Sequence, residues 1–132
     1  IKNLDDVCYD KVLEQIKVGR QQVLVFVHAR NATVRTGLQL VEYARNRGDL
    51  EYFLYKAKDD DGQQESRQYQ EACRHVSHSK NVQLRDLFPN GTGIHHAGML
   101  RQDRNLVEKY FSKGFIKVLV CTATLAWGVN LP

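Results

Sequence analysis

A chain of 132 residues, with 42% hydrophobic and 26% charged residues, has the composition of one globular domain and is too short to bury two separate cores. No apolar run reaches membrane-spanning length and the opening stretch is polar, which argues against a membrane partner and a signal peptide. The net charge of +4 suits a polyanionic partner without demonstrating one, and three irregularly spaced cysteines argue for a reducing compartment rather than a disulfide framework. Because the chain does not begin with Met, we expect it to be a fragment of a longer protein.

The first third of the chain predicts the order helix, strand, helix. Apolar residues recur at helical spacing over residues 4–16. The burst VLVFV at residues 23–27 is short, β-branched and without alternation, which predicts a strand buried on both faces. Asn31 is then a candidate cap for a second helix that ends near Gly48.

Residues 56–82 differ in character from the segments around them. An acidic turn is followed by a polar, weakly helical run, which predicts an insertion between core elements. Cys73, His75 and His78 are residue types that bind zinc, but three of them without a fourth partner do not make a zinc site. We therefore assign no metal to this chain.

The last third returns to regular patterns. We expect a short helix over residues 81–88, a strand at 93–96, a helix over 101–113 and a strongly apolar strand at 116–121. Apolar strands that alternate with helices predict an α/β fold with a parallel sheet covered by helices on both faces.

Three segments follow the predicted strands and should meet at one edge of the sheet, where open α/β sheets bind their ligands. Small residues there let a phosphate approach free backbone N–H groups, while the hydroxyls and one arginine add donors and a fixed charge. The candidate nucleic-acid-binding residues are His28, Ala29, Arg30, His96, Ala97, Gly98, Thr122 and Thr124. Structural interpretations stand beside the binding one: Thr122 as a strand-end hydroxyl, His95 and His96 as a strand histidine and its exposed neighbour, Arg30 as the partner of a surface acid, and Trp127 as a packing residue. Only their joint placement favours binding.

Several common catalytic motifs are missing from the sequence. It contains no phosphate-cradling P-loop, no glycine-rich dinucleotide fingerprint after a strand, and no nucleophile elbow. An unrelated cofactor-binding α/β domain therefore has no motif to support it.

The strand-end segments resemble motifs of superfamily 2 helicases. VLVFVHAR resembles motif IV, IHHAGMLRQDR resembles motif IVa, and VLVCTATLAWGVNLP resembles motif V. Together they are typical of the large DExH-box RNA helicases, which carry two helicase cassettes. Within that family the chain looks like the first cassette of the cointegrator-complex subgroup, with residues 56–82 outside the resemblance.

The resemblance implies that residues 1–132 are part of a RecA-like, P-loop NTPase-type helicase C-terminal domain, truncated, in an ATP hydrolase that unwinds RNA or DNA in the 3′-to-5′ direction. Motif IV, motif IVa and Thr122 would contact the strand, and Gly128 and Asn130 would face the ATP cleft. DEAD-box proteins carry Asp where Asn130 stands, which leaves a direct ribose contact in doubt.

The same resemblance sets expectations for cofactors, partners and location. ATP and Mg²⁺ would be bound by the full-length enzyme, and the fragment alone would bind neither and hydrolyse no ATP, because the P-loop and the arginine fingers lie in other segments. Expected partners are an RNA or DNA single strand, the first RecA-like domain of the same chain and subunits of a multiprotein complex, in the nucleus and cytoplasm. The alternative is a non-catalytic helicase-like binding module.

Overall fold

The computed structural model describes residues 4–19, 22–54 and 62–122. Within these ranges the elements are α1 (Leu4–Gly19), β1 (Val23–Val27), α2 (Arg30–Asn46), α3 (Leu50–Phe53), α4 (Gly62–Ser77), α5 (Val82–Leu87), a 3-10 turn (Phe88–Asn90), β2 (Thr92–His95), α6 (Arg101–Ser112) and β3 (Val118–Thr122). No helix among the described residues is both long and apolar enough to cross a membrane.

The described strands form a parallel sheet in the order β1-β3-β2, flanked by helices. β3, the last of the described strands in sequence, lies in the middle, so the connection from β1 to β2 passes over its position and the connection from β2 through α6 returns to it. The predicted α/β class with a parallel sheet is confirmed. Residues 118–121 of β3 have no exposed surface, as expected for a strand with a neighbour on each side and helices over its faces.

β1 differs from its prediction. The sequence VLVFV predicts a strand buried on both faces, yet Val23, Leu24, Val25 and Val27 are only half-buried and the Phe26 side chain is 57% exposed. Among the described strands β1 lies at the edge of the sheet and pairs with β3 alone. The apolar run identified the strand correctly, but burial depends on what packs beside it.

The start of α2 also differs from its prediction. Asn31 lies inside the first turn and does not cap the helix; the N-cap is Ala29, which has an extended backbone and makes no side-chain cap hydrogen bond. The Thr33 hydroxyl instead donates to the Arg30 carbonyl within this turn. Because the helix starts before Asn31, Arg30 stands at its first position, directly beside the end of β1.

The polar run forms a regular helix of 16 residues, α4. Its second half joins the core: Ala72 and Val76 are buried, and the Tyr69 ring stacks on Phe88 with centroids 6.0 Å apart. An amphipathic helix needs few apolar residues when one face alone is buried, which is why the run looked weakly helical in sequence. An insertion at residues 56–82 stays a prediction.

Candidate nucleic-acid interface

The carboxyl ends of the three strands meet at one edge of the sheet. Val27 pairs with Thr122, and His95 pairs with Cys121, so the strands end nearly level. Neighbouring strands lie about 4.8 Å apart, which sets the turn after β1 and the turn after β2 on either side of Thr122. We call residues 28–30, residues 96–98 and Thr122 the strand-end rim.

The first part of the rim is the turn from β1 into α2. His28, Ala29 and Arg30 are all exposed there. The Ala29 carbonyl accepts a hydrogen bond from the Ala32 N–H at 3.1 Å, which closes the first turn of the helix. The turn thus presents a histidine, a small residue and a guanidinium to solvent at a helix start, a chemistry suited to anions.

The second part of the rim is the turn from β2 towards α6, and His96 closes it twice. Its carbonyl accepts a hydrogen bond from Met99 N–H at 3.2 Å, and its ring Nδ1 accepts one from Gly98 N–H at 3.0 Å. His96 is half-buried, Ala97 and Gly98 are exposed, and Met99 is buried. Met99 therefore anchors the turn in the core while residues 96–98 remain accessible.

The two turns touch through Arg30 and Gly98. A Cβ added to Gly98 would lie 3.1 Å from Nη1 of Arg30, 3.2 Å from its Cδ and 3.2 Å from Cε1 of His96. The Arg30 side chain therefore lies across the second turn, beside the His96 ring. The rim is a continuous surface, and the missing side chain of Gly98 makes room for the arginine.

Arg30 and His96 differ in charge at the rim. Burial lowers the pKa of His96 below its ordinary value of 6.5, and the nearby Arg30 and His95 lower it further. The His96 ring is therefore neutral at pH 7, and Arg30 supplies the fixed positive charge between the two turns.

His95 faces the other way from His96 and belongs to the interior. It is 6% exposed, and its Nε2 lies 2.9 Å from a carboxylate oxygen of Glu108 on α6. Its Nδ1 has no hydrogen-bond partner among the described residues. The strand-histidine interpretation fits His95. Sequence inspection missed Glu108, since the two residues are distant in sequence and no motif joins them.

The third part of the rim is only partly described. Thr122 ends β3 and is half-buried between the two turns. Thr124, Trp127, Gly128 and Asn130 lie outside the described residues. The structure thus brings together seven of the eight predicted strand-binding residues: His28, Ala29, Arg30, His96, Ala97, Gly98 and Thr122. Their role in binding stays a prediction.

A metal site does not emerge from the part of the chain that the structure describes. No three His, Cys, Asp or Glu side chains group there in a way that could hold an ion. Within α4, Nδ1 of His75 is engaged with the Tyr110 hydroxyl at 2.8 Å, so this histidine helps to pack α4 on α6.

A parallel sheet flanked by helices is consistent with a RecA-like segment, and its candidate binding edge lies at the carboxyl ends of the strands. No family model matches the chain. Curated proteins do: activating signal cointegrator 1 complex subunit 3 of Danio rerio is 57% identical over all 132 residues. DExH-box ATP-dependent RNA helicase DExH14 of Arabidopsis thaliana is 47% identical over 98% of the chain, and RQC trigger complex helicase SLH1 of Saccharomyces cerevisiae 43% over 99%.

These similarities confirm the resemblance seen in the sequence motifs: the chain is homologous over at least 98% of its length to segments of these relatives, among them a DExH-box RNA helicase. The alignment with the Danio rerio protein includes residues 56–82, so the similarity extends beyond the motifs. The chain spans 8% of the length of that relative and 6% of the other two.

Proposed function

We propose that the chain is the part of an ATP-dependent DExH-box helicase that holds a nucleic-acid strand by its sugar-phosphate backbone. The observation that carries the proposal is the Arg30 side chain lying across Gly98 beside His96. A fixed cation, a small residue and hydrogen-bond donors on one surface bind phosphates without reading bases. The homology to helicases supports the same activity.

Within the longer protein, we infer that this segment forms part of the second RecA-like domain, in the first of two cassettes. ATP with Mg²⁺ would occupy the cleft to the first RecA-like domain, with Gly128 and Asn130 on the near side, and its hydrolysis would supply the energy for movement. Closure of the two domains shifts the rim relative to its partner surface, which converts a change in domain position into a step along the strand. The resemblance favours 3′-to-5′ movement.

The proposal extends to partners and location. Two relatives carry complex membership in their names, a signal cointegrator complex and an RQC trigger complex, which supports a multiprotein assembly for this protein too. An RNA or DNA single strand is the proposed ligand, and the nucleus and cytoplasm are the proposed locations. The fragment alone is expected to hydrolyse no ATP, which a radiolabelled-ATP assay would check.

The test compares two arginines of α2 in the full-length protein. Arg30→Gln removes the rim charge, and Arg45→Gln removes the same charge from the last turn of the helix, about 22 Å away. Both variants have the same net charge, so a difference between them reports position. We expect Arg30→Gln to weaken single-strand affinity about tenfold, since charge-assisted hydrogen bonds contribute roughly 1.5 kcal/mol or more.

Salt dependence provides a second measurement on the same proteins. Loss of one phosphate contact should lower the slope of log affinity against log salt by about 0.7 for a single strand. Arg45→Gln should leave both affinity and slope within error of the parent. Equal losses in the two variants would contradict binding at the rim, and a parent protein that binds strands but hydrolyses no ATP would favour a non-catalytic module.

A further inference from the structure

We propose that His96 works at the rim as a neutral hydrogen-bond donor, with Nδ1 holding its own turn and Nε2–H donating to a phosphate oxygen of the bound strand. This inference rests on the proposed function and goes further, because it assigns the protonation state and the tautomer through which one residue acts.

The tautomer follows from the partner of Nδ1. A backbone N–H can only donate, so the 3.0 Å hydrogen bond from Gly98 N–H requires a lone pair on Nδ1 of His96. In a neutral imidazole the proton then resides on Nε2. Among the described residues no hydrogen-bond acceptor takes that proton. His96 is half-buried, so part of the residue is accessible to a ligand.

The surroundings of the ring keep it neutral. Arg30 from α2 and His95 from β2 are the charged and titratable groups whose effect reaches His96, and both disfavour a second positive charge. Glu108 is bound to His95 and offers its carboxylate there. A proton on Nδ1 would also remove the acceptor for Gly98 N–H and open the turn. Protonation of His96 would therefore disrupt the conformation of the rim.

Arg30 and His96 therefore have different roles as donors at the rim. Arg30 supplies charge that does not titrate, and His96 supplies a directed donor whose hydrogen stays in place around neutral pH. Gly98 serves both, because its N–H fixes the ring and its missing Cβ admits the arginine. His96 then acts on the strand and also positions residues 97 and 98.

The test separates the two nitrogen atoms in the full-length protein. In His96→Asn, the amide oxygen can take the place of Nδ1 and accept the N–H two residues on, as in an Asx turn, but the side chain is too short to replace Nε2–H. In His96→Gln, the amide N–H reaches the place of Nε2 and the acceptor at Nδ1 is lost. His96→Ala removes both.

Affinity for a fluorescein-labelled single-stranded RNA is measured at fixed salt, together with the melting temperature. We expect His96→Asn to keep the melting temperature and lose about fivefold in affinity, as for one neutral hydrogen bond. His96→Gln keeps the donor but loses the acceptor that closes the turn, so it should bind more weakly than the parent and more tightly than His96→Ala, which should bind no better than His96→Asn. The same loss on a DNA strand of equal sequence would support a phosphate contact, and a loss confined to RNA would overturn it in favour of the 2′-hydroxyl.

Other outcomes would also overturn the inference. If His96→Asn binds like the parent, the histidine only shapes the turn. If His96→Asn fails to fold, a His96→Gln protein that binds as weakly as His96→Ala would likewise show that Nε2–H makes no contact with the strand. If parent affinity falls steadily from pH 6 to pH 7.5 and His96→Asn abolishes this dependence, the residue acts as a cation. A parent protein that binds no strand refutes the proposed function itself, whereas parent binding that depends on Arg30 but not on His96 refutes the present inference alone.

Discussion

Gly91 connects the 3-10 turn to β2, and replacing it by alanine should disrupt the sheet. Its φ is +69°, a left-handed conformation, and a Cβ there would lie 1.7 Å from the carbonyl oxygen of Phe53. That atom belongs to the backbone of the last residue of α3, so no side-chain rotation can relieve the overlap. The Gly91 carbonyl also accepts hydrogen bonds from the N–H groups of Lys117 and Val118, at 2.7 and 3.1 Å, which attaches the turn to the start of β3.

The expected loss in the free energy of unfolding of Gly91→Ala has two parts. The left-handed conformation costs an alanine about 1 kcal/mol, and forcing a methyl group into packed backbone costs a further 1–3 kcal/mol or so. Gly48→Ala is the matched control, because Gly48 has φ +74° and no atom within 4 Å of an added Cβ. Gly91→Ala should therefore lower the free energy of unfolding by about 2–4 kcal/mol, and Gly48→Ala by about 1 kcal/mol.

Equilibrium urea unfolding of the two variants and the parent measures the difference. At roughly 4 °C of melting temperature per kcal/mol for a domain of this size, the Gly91 variant should melt about 8–16 °C lower, and the control about 4 °C lower. Equal losses in the two variants would show that the contact with Phe53 is not the cause, and the steric argument for this turn would be wrong.

Two further predictions concern buried polar groups. The Ser79 hydroxyl donates to the buried Asp103 carboxylate, so Ser79→Ala should lower the free energy of unfolding in urea by about 2–3 kcal/mol. The control is Ser77→Ala, which removes an exposed hydroxyl and should have little effect. A similarly small loss in both variants would contradict a stabilising hydrogen bond between Ser79 and Asp103. Burial raises the pKa of the Cys121 thiol from 9.0 to about 12, so alkylation at pH 8, followed by mass spectrometry, should modify the partly exposed Cys73 well before Cys121. Because the folded-state pKa is the higher one, the stability that this neutral thiol contributes below about pH 9 should be lost as the pH rises towards 12.

The sequence by itself determined the class of the fold and the region of the candidate site. Apolar, β-branched runs at residues 23–27 and 116–121 predicted strands, and the helical patterns between them predicted parallel pairing. Parallel pairing in turn places the segments after the strands at a common edge, which is why seven of the eight strand-binding candidates lie together.

Tertiary structure alone decided how much each element is buried and which rim residues touch. β1 and β3 are alike in composition, but β3 has a neighbour on each side whereas β1 lies at the edge of the described sheet, so Phe26 is exposed and Val120 is not. The Arg30 side chain contacts Gly98 because α2 packs beside β2, and His95 contacts Glu108 because α6 packs beside β2. Local patterns specify periodicity over a few residues, whereas contacts between distant segments depend on packing in three dimensions.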